Sequence, residues 1–255
     1  MIISPSRNFI FIHLEKCGGT SVETALQPYL HWSDMIIGST QYGERYQSNL
    51  YERYGIEEVN KNMLWKHSSA KQIESFVLPD NWDDFTKISV VRNPIDLVRS
   101  LYFFAQTSVK YHIGRINRQK WKELLRTQEF PHAWPYTEGY VHAYATSVID
   151  GSGIDGFVRY IFNGNFGFIE TQTSRLQAKT TKDLGIVKDL SVLNDEWQDI
   201  LDCVNIKEGV ALQKLNQSEK DEHIKMSEKS EKMIKKHFAI DYDVLPGYTG
   251  VSWKS

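Results

Sequence analysis

The stretch Asn8-Phe-Ile-Phe-Ile-His-Leu-Glu-Lys-Cys-Gly-Gly-Thr-Ser21 decides how the chain is read. Residues 8–14 form a short apolar run rich in β-branched and aromatic side chains, which predicts a buried strand. A glycine loop follows from Glu15 to Ser21, and Val22-Glu-Thr-Ala-Leu26 reads as helix. Strand, glycine loop and helix in that order make a cradle for an anion. Adjacent glycines let main-chain N–H groups approach a ligand closely, and the helix start adds partial positive charge. Lys16 adds a full charge, the backbone of Cys17, Gly18 and Gly19 adds donors, and Thr20 and Ser21 add hydroxyls. The lysine precedes the glycines, whereas in the nucleoside-triphosphate loop G-x-x-x-x-G-K-[ST] it follows them. A purely structural turn is the other reading of these residues.

Further along, Thr86-Lys-Ile-Ser-Val-Val-Arg92 gives the strongest remaining strand signal. Asn93 and Pro94 follow as N-cap and first helical residue, with Asp96 in the first turn. Leu97, Leu101 and Phe104 continue the helix at three- and four-residue spacing. Open parallel sheets bind ligands at the carboxyl ends of their strands. Arg92 sits at such an end, where a guanidinium can grip a phosphate with two parallel hydrogen bonds. Pairing with Asp96 or another carboxylate is the alternative.

Between these segments, Met63-Leu-Trp-Lys-His67 reads as a strand, and Ser68 or Ser69 caps a short helix over 70–74. Helices are also expected over 156–162, 193–201 and 218–237, the last one charged and on the surface, with a weak strand over 166–170. Residues 28–62 and 107–145 read as inserts covering a site. The second insert is basic and aromatic, with Lys110, Tyr111, Arg115, Arg118, Lys120, Trp121, Trp134, Tyr136 and Tyr140. Strands alternating with helices predict an α/β layer fold with a mainly parallel sheet. No repeat or low-complexity linker interrupts the 255 residues, so the expectation is one domain over 1–255.

Composition narrows the function. Hydrophobic residues make up 41%, enough for a core, and charged residues 24%. The net charge of −2 argues against a nucleic-acid binder, which carries a basic excess. Two cysteines, Cys17 and Cys203, make no disulfide framework. No basic segment precedes an apolar run, and residues 9–14 are too few to cross a bilayer. The expectation is a soluble, cytoplasmic protein with no transmembrane segment. No compact metal-ligand spacing such as H-x-x-x-H occurs, so no metal is expected.

Taken together, residues 9–21 and 88–103 resemble the PAPS-dependent sulfotransferases, where PAPS is 3′-phosphoadenosine 5′-phosphosulfate. The likeness is to the carbohydrate branch that includes heparan sulfate 2-O-sulfotransferase and its bacterial relatives. Lys66-His-Ser-Ser-Ala70 is similar too, and more loosely Glu170-Thr-Gln-Thr-Ser174, Leu215-Asn-Gln-Ser218 and Phe238-Ala-Ile-Asp-Tyr242. The resemblance implies a P-loop-NTPase-like three-layer fold, with a central, mainly parallel sheet flanked by helices. It implies that Lys16, Cys17, Gly18, Gly19, Thr20 and Ser21 hold the 5′-phosphosulfate, and that Arg92 and Ser100 hold the 3′-phosphate. It also implies that His67 takes the proton of an acceptor hydroxyl, carried by a carbohydrate, while Lys16 stabilises the leaving phosphate. The product would be 3′-phosphoadenosine 5′-phosphate (PAP). The family commonly has proline where Glu15 stands and often threonine where Cys17 stands, so Glu15 must point away from the anion or pair with a cation. His13 reads as a structural residue, and His112, His132 and His142 are candidates to line the acceptor site. Two other readings stay open: a P-loop small-molecule kinase, which would need Mg²⁺ and ATP, and a carbohydrate-binding relative without activity. The lysine before the glycines counts against the first, and Lys16, His67 and Arg92 together count against the second.

Overall fold

A computed structural model describes residues 1–55, 58, 59, 62–77, 82–113, 119, 123, 138–163, 169–207, 209–213, 215 and 224–253. The described chain divides into two compact units. The first comprises 1–92, 172–216 and 243–254, and the second 93–171 and 217–242 with 255.

The first unit is built on a five-stranded sheet. Its strands are β1 (Ile2–Ser4), β2 (Phe9–Ile12), β3 (Met35–Ile36), β4 (Thr86–Val91) and β5 (Ile186–Asp189), in the order β3-β1-β2-β4-β5. β2, β4 and β5 run parallel, with Phe11 opposite Ile88 and Ile88 opposite Ile186. β1 is antiparallel to both β2 and β3. The expected mainly parallel sheet is therefore mixed: a parallel half beside an antiparallel half. The cause is a tight reversal between β1 and β2, where Asn8 takes the left-handed conformation (φ 54°). A three-residue strand is too short to show alternation, which is why β1 left no sequence signal.

Phe9, Phe11, Ile88 and Val90 share one buried cluster with Val22 and Leu26 of α1 (Gly19–Leu26). Trp197, Ile200 and Leu201 of α8 (Trp197–Cys203) belong to the same cluster. Ile10 and Ile12, which point to the opposite side of β2, are also buried. A strand covered on both faces reads as a continuous apolar run, as residues 9–12 do. The unit also holds α2 (Gln41–Tyr54), capped by Thr40, and α3 (Ala70–Val77). The short α7 (Gln172–Leu176) completes it. The strand expected over 63–67 does not form. The Trp65 N–H donates to Ser68 Oγ at 2.9 Å and the Lys66 N–H to Gln47 Oε1 at 2.9 Å. Those two donors, bound to side chains, are not available to a sheet ladder.

The second unit is helical. It contains α4 (Pro94–Ile113), α5 (Glu138–Ile149), α6 (Gly153–Phe162) and α9 (Glu228–His237). Tyr102 of α4 meets Tyr144 and Phe157 edge-on at 5.2 and 5.3 Å, which ties the first three helices together. α9 is shorter than the helix expected over 218–237, and residues 224–227 precede it without helix. Asp155 accepts hydrogen bonds from Ser227 N and Oγ at 2.9 and 3.0 Å, which fixes the start of α9. A last helix, α10 (Ala239–Thr249), leads back to the first unit. The strand expected over 166–170 falls mostly outside the described residues. So do most of the basic and aromatic positions from Lys110 to Tyr136.

Candidate active site

The loop after β2 carries two unusual backbone conformations. Lys16 has φ 60° and Gly18 has φ 80°, so the chain doubles back just before α1 begins. Glycine adopts that conformation freely, whereas for lysine it is uncommon and carries strain. Gly19 is required for a different reason. A Cβ there would lie 2.2 Å from the ring of His13. The loop is thus pulled tight over the end of its own strand.

His13 explains the closeness. It is 3% exposed, and its Nδ1–H donates to Glu23 Oε1 at 2.8 Å. Glu23 lies on α1, is fully buried, and also pairs with the α-amino group of Met1. The imidazole and the amino group hold its carboxyl down at about 2, against the opposing pull of burial. Burial lowers the pKa of His13, so its imidazole is neutral at neutral pH. The sequence reading of His13 as structural describes its ring correctly and misses its carbonyl.

That carbonyl accepts a hydrogen bond from His67 Nδ1 at 3.0 Å. A carbonyl can only accept, so Nδ1 carries the proton and Nε2 keeps its lone pair. The His67 ring is packed edge-on against His13 at 4.6 Å and Trp65 at 5.3 Å. Burial, then the neighbouring His13 and Lys66, hold its pKa well below 6.5. The result is a fixed, neutral imidazole with one basic nitrogen.

The loop after β4 comes to the same place, because β2 and β4 are parallel neighbours. Arg92 Nη1 donates to the carbonyl of Lys16 at 3.2 Å. The Arg92 backbone is fixed by Gln172, which accepts from its N–H at 2.9 Å and donates to its C=O at 2.8 Å. The same Gln172 Oε1 receives the Cys17 thiol at 3.5 Å. Cys17 is buried and Cys203 exposed, and both are free thiols. Lys16 feels this crowding: burial, Arg92 and Lys66 lower its pKa to about 8, with Glu15 pulling the other way. The Glu15 carboxylate therefore acts as a partial counter-charge to Lys16. A lysine driven toward neutrality by burial first and by neighbouring cations second would regain its charge beside an anion.

Of the remaining candidates, Ser21 Oγ accepts the N–H of Leu215 at 3.1 Å, and Thr20 Oγ1 lies 3.3 Å from Ser39 Oγ. Ser100 is buried on α4 and belongs to the second unit. His142, also in the second unit, has its pKa lowered by burial. His132 lies outside the described residues, as does the side chain of His112. Sequence reasoning missed Glu23, Ser39 and Gln172. Gln172 lay within the family-like stretch 170–174, which gave no hint of a link to Arg92. Among the described residues no cluster of histidine, cysteine and carboxylate side chains could hold a metal ion. Among them, too, no helix is long and apolar enough to cross a membrane.

At the parallel strand ends of an α/β sheet the chain brings together a glycine turn, a lysine, an arginine and a fixed imidazole, an arrangement able to receive an anionic group. Residues 1–245 match the model of the Sulfotransferase family, and the chain belongs to that family. Its general chemistry is transfer of a sulfuryl group from a donor to an acceptor. No curated protein and no solved structure matches the chain.

Proposed function

We propose that the protein transfers the sulfuryl group of PAPS to a hydroxyl of a carbohydrate acceptor, with His67 as general base. The hydrogen bond from His67 Nδ1 to the His13 carbonyl carries this reading, because it leaves Nε2 as the single basic atom. In the reaction Nε2 takes the hydroxyl proton while the acceptor oxygen bonds to sulfur. The bond from sulfur to the 5′-phosphate oxygen breaks, and its electrons stay with PAP. In-line transfer of this kind asks the protein mainly for positioning and charge stabilisation. Lys16 is assigned the charge growing on the leaving phosphate. The main-chain N–H groups of 17–19 and the hydroxyls of Thr20 and Ser21 are assigned the rest of the 5′ group, in the manner of a phosphate-binding loop. Arg92 is assigned the 3′-phosphate, which distinguishes PAPS from ATP. No step calls for a metal.

Thermal unfolding with added nucleotide tests the donor. PAP without Mg²⁺ is expected to raise Tm, with a stabilisation of about 2.7 kcal/mol at a hundredfold excess over Kd. ATP, with or without Mg²⁺, is expected to raise it little. Strong stabilisation by ATP with Mg²⁺ and none by PAP would assign the protein to the kinases.

A further inference from the structure

Ser39 occupies another turn of the first unit at positive φ. Its φ is 62°, and the N–H of Thr40 donates to the carbonyl of Gly38 across it at 2.8 Å. A bond from residue i+2 to residue i around a positive φ is a γ-turn of the rare, strained hand. Several contacts hold it in place. The Ser39 N–H donates to Glu44 Oε1 at 2.7 Å, and Glu44 pairs with Lys66 at 3.2 Å. The N–H of Gly43 donates to Thr40 Oγ1 at 3.1 Å, at the cap of α2. A glycine would make the turn with less strain. Strained non-glycine positions that their surroundings over-determine cluster at ligand clamps.

What serine adds is a hydroxyl aimed at the glycine loop. Ser39 Oγ lies 3.3 Å from Thr20 Oγ1 and 3.4 Å from His13 Nδ1. The proton directions along this chain are set from one end. Glu23 is ionised and can only accept, so His13 Nδ1 carries its proton. Ser39 Oγ lies 3.4 Å from that same Nδ1, whose one proton goes mainly to Glu23 at 2.8 Å, so the Ser39 hydroxyl has no acceptor on His13 and keeps its own proton for another partner. Thr20 Oγ1 is the acceptor within reach of that proton, at 3.3 Å, and when Ser39 donates to it the Thr20 proton is available to a ligand. Successive hydrogen bonds of this kind polarise one another.

We propose that Ser39 is a positioning residue of the donor site, whose hydroxyl orients the Thr20 hydroxyl so that it donates to the anion in the glycine loop. This rests on the reading that residues 16–21 bind the 5′ end of PAPS. The test is a set of PAP dissociation constants, with Tm alongside, for the wild type, Ser39→Ala, Ser39→Gly, Thr20→Val and the double variant Ser39→Ala/Thr20→Val. Ser39→Ala and Ser39→Gly each lose one hydroxyl, so each is expected to weaken PAP by about three- to tenfold, the range of one hydrogen bond. Their stabilities differ: glycine relieves the turn, so Tm of Ser39→Gly is expected at or above that of Ser39→Ala. Ser39→Ala is expected to add nothing once Thr20 is valine, because Ser39 acts through Thr20. A turn with a structural role only would give PAP affinity that follows Tm, or losses that add in the double variant, and either overturns the proposal. Wild-type affinity in both Ser39 variants overturns it and leaves PAP as the donor ligand. A wild-type protein that does not bind PAP overturns the donor reading and this inference together.

Discussion

The chain leaves two neighbouring parallel strands, β2 and β4, in opposite styles. After β2 it passes through Lys16 and Gly18 at positive φ, with Gly19 pressed against His13. After β4 it turns conventionally. Gln172 satisfies both backbone groups of Arg92, and Asn93 Oδ1 accepts the N–H of Ile95 at 3.0 Å to start α4. The first exit is held by packing against strain, and the second by paired hydrogen bonds. In the proposed function the two styles carry different work. The strained exit aims main-chain donors and, through the His13 carbonyl, the imidazole of His67. The satisfied exit presents one guanidinium on a rigid stem.

If the two exits divide the work this way, chemistry and binding should separate on mutation. His67→Ala is expected to lower the transfer rate by about 10²–10⁴, while PAP affinity stays within about threefold, since among the described residues the ring's hydrogen bond goes to a main-chain carbonyl of the first exit. Transfer assays on acceptors screened by mass spectrometry, paired with calorimetry, would check both halves. A variant that transfers at the wild-type rate would remove His67 as the base. One that loses PAP binding would make the first exit a single cooperative unit.

Arg92→Ala sharpens the other side. Loss of a charge-assisted phosphate contact is expected to cost about 1.5–3 kcal/mol of PAP binding. Adenosine 5′-phosphosulfate, which has no 3′-phosphate, should lose far less. Equal losses for the two ligands would mean that Arg92 serves the 5′ end and that the exits share one phosphate.

The smallest effect is in pH. The folded pKa values of His67 and His13 lie below 6.5, and the unfolded values near it. Below pH 6.5 the unfolded chain therefore binds protons that the folded one refuses, so stability falls as pH drops through that window. Glu23, held at about 2, adds to the same trend at lower pH, because its unfolded carboxyl protonates first. Transfer should be level from pH 7.5 to 6.5 and fall only in more acid solution, where His67 takes a proton. An acid limb centred above pH 6.5 would contradict the buried setting of the base.

Much of this was legible in the chain itself. The apolar run 9–12, the glycines 18 and 19 and the Asn93-Pro94 pair announced two strand exits, because each states a local geometric need. The family likeness put His67 beside them. Sequence could not show that His67 hangs from a main-chain carbonyl, since every residue has one. Nor could it show Gln172 reaching across to Arg92, a contact eighty positions away. The antiparallel half of the sheet was missed because β1 and β3 have only three and two residues. Ser39 was hidden because positive φ is announced by glycine, and here the glycine stands one position earlier.

The altered ionisation of Lys16 has a calorimetric consequence. With a pKa of about 8, roughly half of these side chains are uncharged at pH 8 in the free protein. A phosphate dianion beside the amine restores its affinity for protons. In the proposed function, PAP uptake at pH 8 therefore draws part of a proton from the solution, and the buffer supplies it. The heat measured for one and the same association will then change with the ionisation enthalpy of the buffer, and the affinity will decline as the medium becomes more alkaline.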